Sequence, residues 1–260
     1  MEQKNKNMKN IFYLIIIGFF ININSSKAQF SHFTNNGVIE FEKSANMFAI
    51  LKPKSGDDNP FQKEFYEKYI SSQPQFNKFK SKLFFNTNQS LFVPNKEDND
   101  NAKGGYYANG TIQINQVSTD FKAQKFTTLK KVFEEDFLVK DSLRKIDWKI
   151  TSEVRNIAGY NCRRANALIM DSIYVVAFYT DQIPVSGGPE SFTGLPGMIL
   201  GVALPTEHVT WFATKVSELP VSEKDLAPPT KGKLIDLKGL KAKILSANSY
   251  FKESLKNFLL

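Results

Sequence analysis

The sequence predicts a mainly β, β-rich α+β fold. The expected form is a large twisted antiparallel sheet or half-open barrel, with a short helix in the N-terminal half and a long amphipathic helix at the C-terminus. Three observations point there. Short apolar or alternating runs recur between Gly, Pro and Asn turn signals along most of the chain. Aromatic residues are abundant, with 23 Phe among 260 residues, as suits pleated, half-buried surfaces. The tail changes its period from two to between three and four.

The first 28 residues are set aside as a signal peptide. Lys4, Lys6 and Lys9 precede an apolar stretch from Ile11 to Ile23, and Ser26-Lys27-Ala28 offers a small-x-small cleavage site after Ala28. Residues 29–260 are then expected to form one domain, exported to the periplasm, cell surface or medium, with no membrane-spanning segment. The first 28 residues hold four lysines and one acid, so the rest carries about +5 of the formal +8. Its lysines are mixed with acids as on a soluble surface, with no basic stripe or nucleic-acid motif. Cys162 is the only cysteine; no intrachain disulfide can form, and a buried small hydrophobe is the expected role.

From Val38, Ile39 and Phe41 alternate against Glu40 and Glu42, a half-buried strand. Asn59-Pro60 is a cap followed by the proline tolerated at the first helical position, and Phe61, Phe65 and Tyr69 follow on one face. Two hairpins come next: 83–85 with 91–93 around Asn86 to Gln89, and 106–108 with 111–114 around Asn109-Gly110. Between them, Asn95 to Asn101 is a polar loop. Its Asp98 and Asp100 resemble a calcium loop only in part, and a solvated turn is the better reading.

Strands are expected at 125–129, 137–139 and 148–154, and a connection at 156–159. A pair at 160–170 and 172–180 joins near Asp171, and another at 198–204 and 209–214 joins across Pro205-Thr206-Glu207. Residues 173–179 are apolar on both faces, so that strand is expected to be central or covered by the C-terminal helix. Residues 227–232 read as a loop. Leu237, Leu240, Ile244, Ala247, Phe251, Leu255 and Phe258 then mark an amphipathic helix of about 22 residues, with Asp236 as its cap. It is expected to pack on the sheet; a membrane-surface or partner helix is the alternative.

Leu195-Pro196-Gly197-Met198 reads as a type II turn, with Pro at i+1 and Gly at i+2. Met198, Ile199 and Leu200 enter a buried strand directly. Gly201 inside that strand suggests a bulge or a close backbone approach.

The run Gly194-Leu195-Pro196-Gly197-Met198-Ile199 resembles the signature of the GLPGLI family, with Met at the fifth place. Upstream, Ala177 to Asp181 (with Tyr179 and Thr180), Ile183-Pro184, Gly188-Pro189 and Phe192 are similar to the family's positions. So are Trp148, Ile150, Glu153, Ile157, Gly159-Tyr160, Cys162 and Ala165, and Gly37 to Phe41 is similar to its opening strand. The resemblance implies an exported bacterial protein and carries no activity with it.

Catalytic and metal-binding inventories are thin. His32 and His208 share no metal-ligand spacing, one cysteine cannot build the usual zinc site, and neither a nucleophile elbow nor a phosphate-binding glycine loop occurs. No metal or cofactor is expected. A pair between Cys162 and His208 has no spacing to support it. Trp148, Tyr160, Tyr179 and Trp211 could line a pocket, but aromatics on alternating strands are more often core. Glu153, Arg163 and Arg164 could read an anion or form a cross-strand ion pair.

The loop from Thr180 to Gly197 is the candidate surface, with Asp181, Ser186, Glu190, Ser191 and Thr193 among its Gly and Pro. The first expectation is a non-enzymatic module binding an apolar ligand, a peptide, a lipid or an envelope protein, through the sheet's concave side or this loop. An envelope hydrolase using Asp181, Glu190 and Ser186 or Ser191 is the second. An assembly subunit using the last helix is the third.

Overall fold

The computed structural model describes residues 33–53, 56, 59–95, 115–132, 135–247 and 259. All of them fall within one unit, Phe33–Leu260. The expected signal peptide, the 106–114 hairpin and most of the polar loop after Asn95 lie outside the described residues.

Twelve strands form one sheet among the described residues: β1 (Gly37–Asn46), β2 (Phe76–Phe85), β3 (Gln89–Pro94), β4 (Gln116–Asp120), β5 (Lys125–Val132), β6 (Glu135–Ser142), β7 (Lys149–Ile157), β8 (Tyr160–Ile169), β9 (Ile173–Thr180), β10 (Met198–Leu204), β11 (Val209–Ser217) and β12 (Lys233–Ile235). Their order is β12-β6-β5-β4-β3-β2-β1-β11-β10-β9-β8-β7. Two meanders, β2 to β6 and β7 to β11, flank β1, which pairs antiparallel with β2 and β11. Sequence neighbours pair because short turns favour them.

The sheet is mixed rather than antiparallel throughout, because β12 pairs parallel with β6. Neither β12 nor β4 was expected; β12 falls between the loop expected at 227–232 and the cap expected at Asp236, and its three residues owe their strand form to the β6 edge. The sheet is open, with β7 and β12 as its edges, rather than closed into a barrel. It coils enough for Arg155 of β7 to reach the rings of Phe178 on β9 and Phe212 on β11, at 5.8 and 4.9 Å.

The alternation in β1 is realised residue by residue, with Ile39, Phe41, Lys43 and Ala45 buried and their neighbours half-buried. The β2–β3 turn is held by Asn86, whose Oδ1 accepts from the amides of Asn88 and Gln89 at 2.8 and 2.9 Å. The 156–159 connection shrinks to Ala158-Gly159, both at positive φ (50° and 88°), which is the two-residue type I′ hairpin.

Among the described residues there are three helices. α1 (Met47–Leu51) closes β1, and α2 (Pro60–Ser72) starts at Asn59, whose side chain accepts from the Phe61 amide at 3.1 Å. The expected apolar face of α2 is only partly used: Tyr69 is buried while Phe61 is 75% exposed. α3 (Leu237–Ala247) is described over 11 residues, and residues 251–258 of the expected stripe lie outside the described residues, so the long C-terminal helix is not supported. Asp236 caps it, accepting from the Gly239 amide at 2.7 Å.

α3 does not cover β9. Its Leu240 and Ile244 pack with Phe126, Val132, Phe137 and Val139 of β5 and β6 in a small separate core. β9 is an interior strand between β8 and β10. Its second face is buried in the main core, which also takes in Ile183, Val185, Phe192 and Leu195 of the following loop. No helix among the described residues is long and apolar enough to cross a membrane.

Candidate functional site

The segment between β9 and β10 is packed inward rather than presented as a free surface. Ile183, Val185, Gly188, Pro189, Glu190, Phe192, Thr193, Leu195 and Gly197 are all buried. Its backbone groups are satisfied locally: the Met198 amide donates to Ile183 O at 2.9 Å, Ile199 to Gly187 O at 2.8 Å and Phe192 to Pro189 O at 3.2 Å. The Gly194 amide donates to Ser186 Oγ at 3.0 Å.

The expected type II turn is tighter in the structure. The Gly197 amide donates to Leu195 O at 2.8 Å, an i to i+2 bond that makes a γ-turn centred on Pro196. Gly197 has φ 153°. A Cβ there would overlap the Thr180 carbonyl oxygen and lie 2.8 Å from its carbon. Glycine is required because two backbones meet. At Gly201 the β9–β10 register shifts, which is the expected bulge. The close approach there comes from a ring rather than a backbone, since a Cβ would stand 2.7 Å from Phe212.

The other motif residues divide by environment. Trp148 is half-buried and its Nε1 donates to Thr193 O at 2.9 Å, tying the start of β7 to the motif loop. Tyr179 and Thr180 are buried on β9, Tyr160 is half-buried, and Gly159 sits in the β7–β8 turn. Gly188 is closely packed, with Ile199 Cβ and Phe192 O each 2.8 Å from where its Cβ would be. Pro184, Gly194 and Pro196 are exposed. Cys162 is fully buried, and burial pushes its thiol up to about 12, so it carries little thiolate. Glu153 pairs with Arg164 at 2.6 Å on the exposed side, the cross-strand ion pair. Trp211 is core, 6.1 Å edge-to-face from Phe192.

Asp181 is exposed on the surface while Glu190 is buried. The carboxylates of the hydrolase expectation therefore occupy different environments. Glu190 instead belongs to a buried polar cluster. Its Oε2 accepts from Asn115 Nδ2 at 3.0 Å. Its backbone is held at φ 52°, a conformation uncommon for a non-glycine residue and frequent where function stores strain. Its field reaches two buried lysines, Lys43 and Lys130. Burial pushes both ammoniums down to about 8, with Glu190 opposing that loss. Lys43 is directly opposite Trp211 on β11 and its Nζ lies 4.8 Å from that ring.

Neither lysine was singled out as a sequence feature, although a signal existed. Lys43 follows Ile39 and Phe41 at the inward parity of β1, and Lys130 lies between Phe126 and Val132 at the inward parity of β5. A lysine on the core side of an alternating strand is a buried charge in need of a partner. Asn115 and Arg144 have no comparable pattern around them.

A further space lies elsewhere on the sheet. An open groove of about 740 Å³ runs over β1, β2, β3 and β11, lined by Glu40, Glu42, Lys80, Lys82, Phe84 and Val93 among others. Glu40 stands opposite Lys82 and Glu42 opposite Lys80 in the β1–β2 register, so the charges alternate in sign across the strands. Among the described residues no group of three or more His, Cys, Asp or Glu is placed to hold a metal ion.

A family model described as a protein of unknown function (Porph_ging) matches residues 168–201, from the end of β8 through the turn and into β10. The match overlaps the densest part of the GLPGLI resemblance and carries no activity. No curated protein matches the chain. Two crystal forms of PNGF-II are similar in structure. One has a TM-score of 0.51 at 19% identity over 82% of this chain and 34% of PNGF-II. The other has a TM-score of 0.50 at 18% identity over 82% and 33%. The chain thus spans about a third of PNGF-II, and a likeness at this identity concerns the fold alone.

Proposed function

We propose that this chain is an exported envelope protein of the GLPGLI type, cleaved after Ala28, that acts by binding. Its docking surface is the outward face of β1, β2, β3 and β11, and its partner is an extended segment of an envelope protein bearing both charge signs. One observation carries the reading: an open groove of about 740 Å³ lies over a sheet face, lined by carboxylates and lysines in alternation with Phe84 and Val93. An open, mixed-charge face suits a protein segment. An enclosed apolar ligand finds less support, because the interior is filled by side chains such as Phe41, Phe85, Phe192, Met198 and Leu200.

The motif residues from Trp148 to Gly197 serve in this reading to seat the β9–β10 segment rather than to contact the partner. The hydrolase reading finds less support, because Asp181 faces solvent and Glu190 lies inside with Asn115.

The test is site-specific photo-crosslinking in cells, with the probe at Phe84 and, as a control, at exposed Lys140 of β6. The expected result is one discrete adduct from position 84, absent from 140 and weakened by Lys80→Glu with Lys82→Glu. Equal labelling at both positions would overturn the docking face. Loss of a measurable turnover in a folded Glu190→Gln variant would replace binding with the hydrolase reading.

A further inference from the structure

Burying an ammonium costs several kcal/mol unless it is paired, hydrogen-bonded or neutralised. Lys130 Nζ is buried and has no hydrogen-bond partner. Lys130 lines a cavity of about 10 Å³, whose walls include Thr119, Thr128, Arg144, Ser191 and Leu259. That volume holds one water-sized species. Thr119 and Thr128 are buried on the adjacent strands β4 and β5, so their hydroxyls are firmly placed.

The surrounding charge is unbalanced. Arg144 is half-buried, and its Nη2 donates to Leu259 O at 2.7 Å. A guanidinium has five donors, so this bond leaves capacity for more. Lys43 adds to the same positive field. Two carboxylates lie near. Glu190 is buried and accepts from Asn115, and Asp141 Oδ2 accepts from the Leu237 amide at 3.1 Å. Among the described residues Lys43 and Lys130 are buried with Glu190, and Arg144 and Asp141 are each half-buried, an excess of one positive charge. A water could accept a bond from Lys130 but could not offset that charge. A phosphate or carboxylate ligand is too large for the space. A monatomic anion meets both requirements.

We propose that the cavity beside Lys130 binds one anion of halide size, held by Lys130 and Arg144 with the Thr119 and Thr128 hydroxyls as further donors. The site is distinct from the groove over β1 to β3, and either reading can fail without the other.

Two measurements on the mature protein test it. Crystals soaked in sodium bromide should give an anomalous peak within about 3.5 Å of Lys130 Nζ, a hydrogen-bonding distance for an ion larger than oxygen. Urea unfolding in chloride, against gluconate at equal ionic strength, should show the folding constant rising about elevenfold at ten times Kd. Lys130→Met should abolish that gain, and Thr128→Val should reduce it. Should Lys130→Met fail to fold, the bromide map and Thr128→Val decide the matter. A water in the cavity with no anomalous peak, or a chloride gain that survives in Lys130→Met, would overturn the proposal.

Discussion

Gly197→Ala places a methyl group where the structure has the Thr180 carbonyl. Thr180 and Met198 form the terminal pair of the β9–β10 ladder, so the overlap is with a backbone anchored on both sides. The methyl carbon would stand 2.8 Å from the carbonyl carbon and closer still to its oxygen, inside the 3.0 Å that real Cβ contacts essentially never breach. Relief requires the turn and β9 to separate, at an overpacking cost of about 1–3 kcal/mol. The φ of 153° adds about 1–3 kcal/mol for a non-glycine residue.

Gly159→Ala supplies the control. Gly159 also has positive φ, at 88°, but nothing lies within 4 Å of its missing Cβ. Both variants pay for backbone strain, and only Gly197→Ala pays for collision. Urea unfolding of the two variants and the parent should therefore show Gly197→Ala less stable than Gly159→Ala by about 1–3 kcal/mol. Equal losses in the two variants would refute the claim that backbone contact fixes this glycine.

Three further outcomes follow from the buried groups. Lys43 and Lys130 titrate near 8 when folded and 10.5 when unfolded, so the unfolded chain binds more protons between those values. The burial penalty is full below about pH 8 and is relieved as pH rises to about 10.5, a gain of up to about 3 kcal/mol per lysine. In halide-free buffer, Lys130→Met should remove its share of this rise relative to the parent, read by unfolding at pH 7 and pH 10. Glu190→Gln leaves both ammoniums without the opposing charge and should cost about 3–5 kcal/mol near pH 7, with a steeper alkaline recovery. Cys162 should resist a thiol reagent at pH 8 until urea unfolds the chain, since burial denies both access and thiolate.

Local signals were readable where a residue's neighbours in sequence decide its conformation. Asn59-Pro60, Asn86 to Gln89 and Ile39 to Phe41 each carry a cap, a turn or an alternation that needs no distant partner, and each is found as expected. Leu195 to Met198 shows the limit. Pro and Gly announce a turn, but the demand on Gly197 comes from Thr180, 17 positions earlier, and it selects a γ-turn. β12 shows the same limit, because three residues with no strand pattern of their own are held by β6. The helix starting at Leu237 carries the first part of the expected stripe, Leu237, Leu240 and Ile244, but periodicity cannot say which part of a sheet will receive it.

The candidate site divides along the same line. Loop composition marked 180–197 as special and separated its backbone-driven glycines from its polar residues. It could not say that the segment folds inward, because that depends on how much of the sheet remains uncovered once β7 to β11 have paired. By itself the sequence determined the β class, the turn positions found among the described residues, the helix cap at Asp236 and the solitary cysteine, all set within a few residues by dihedral preference, periodicity or composition. Only the tertiary structure decided that Lys43, Lys130 and Glu190, from three distant stretches, share one interior, because a buried charge chooses its partner across strands and not along the chain.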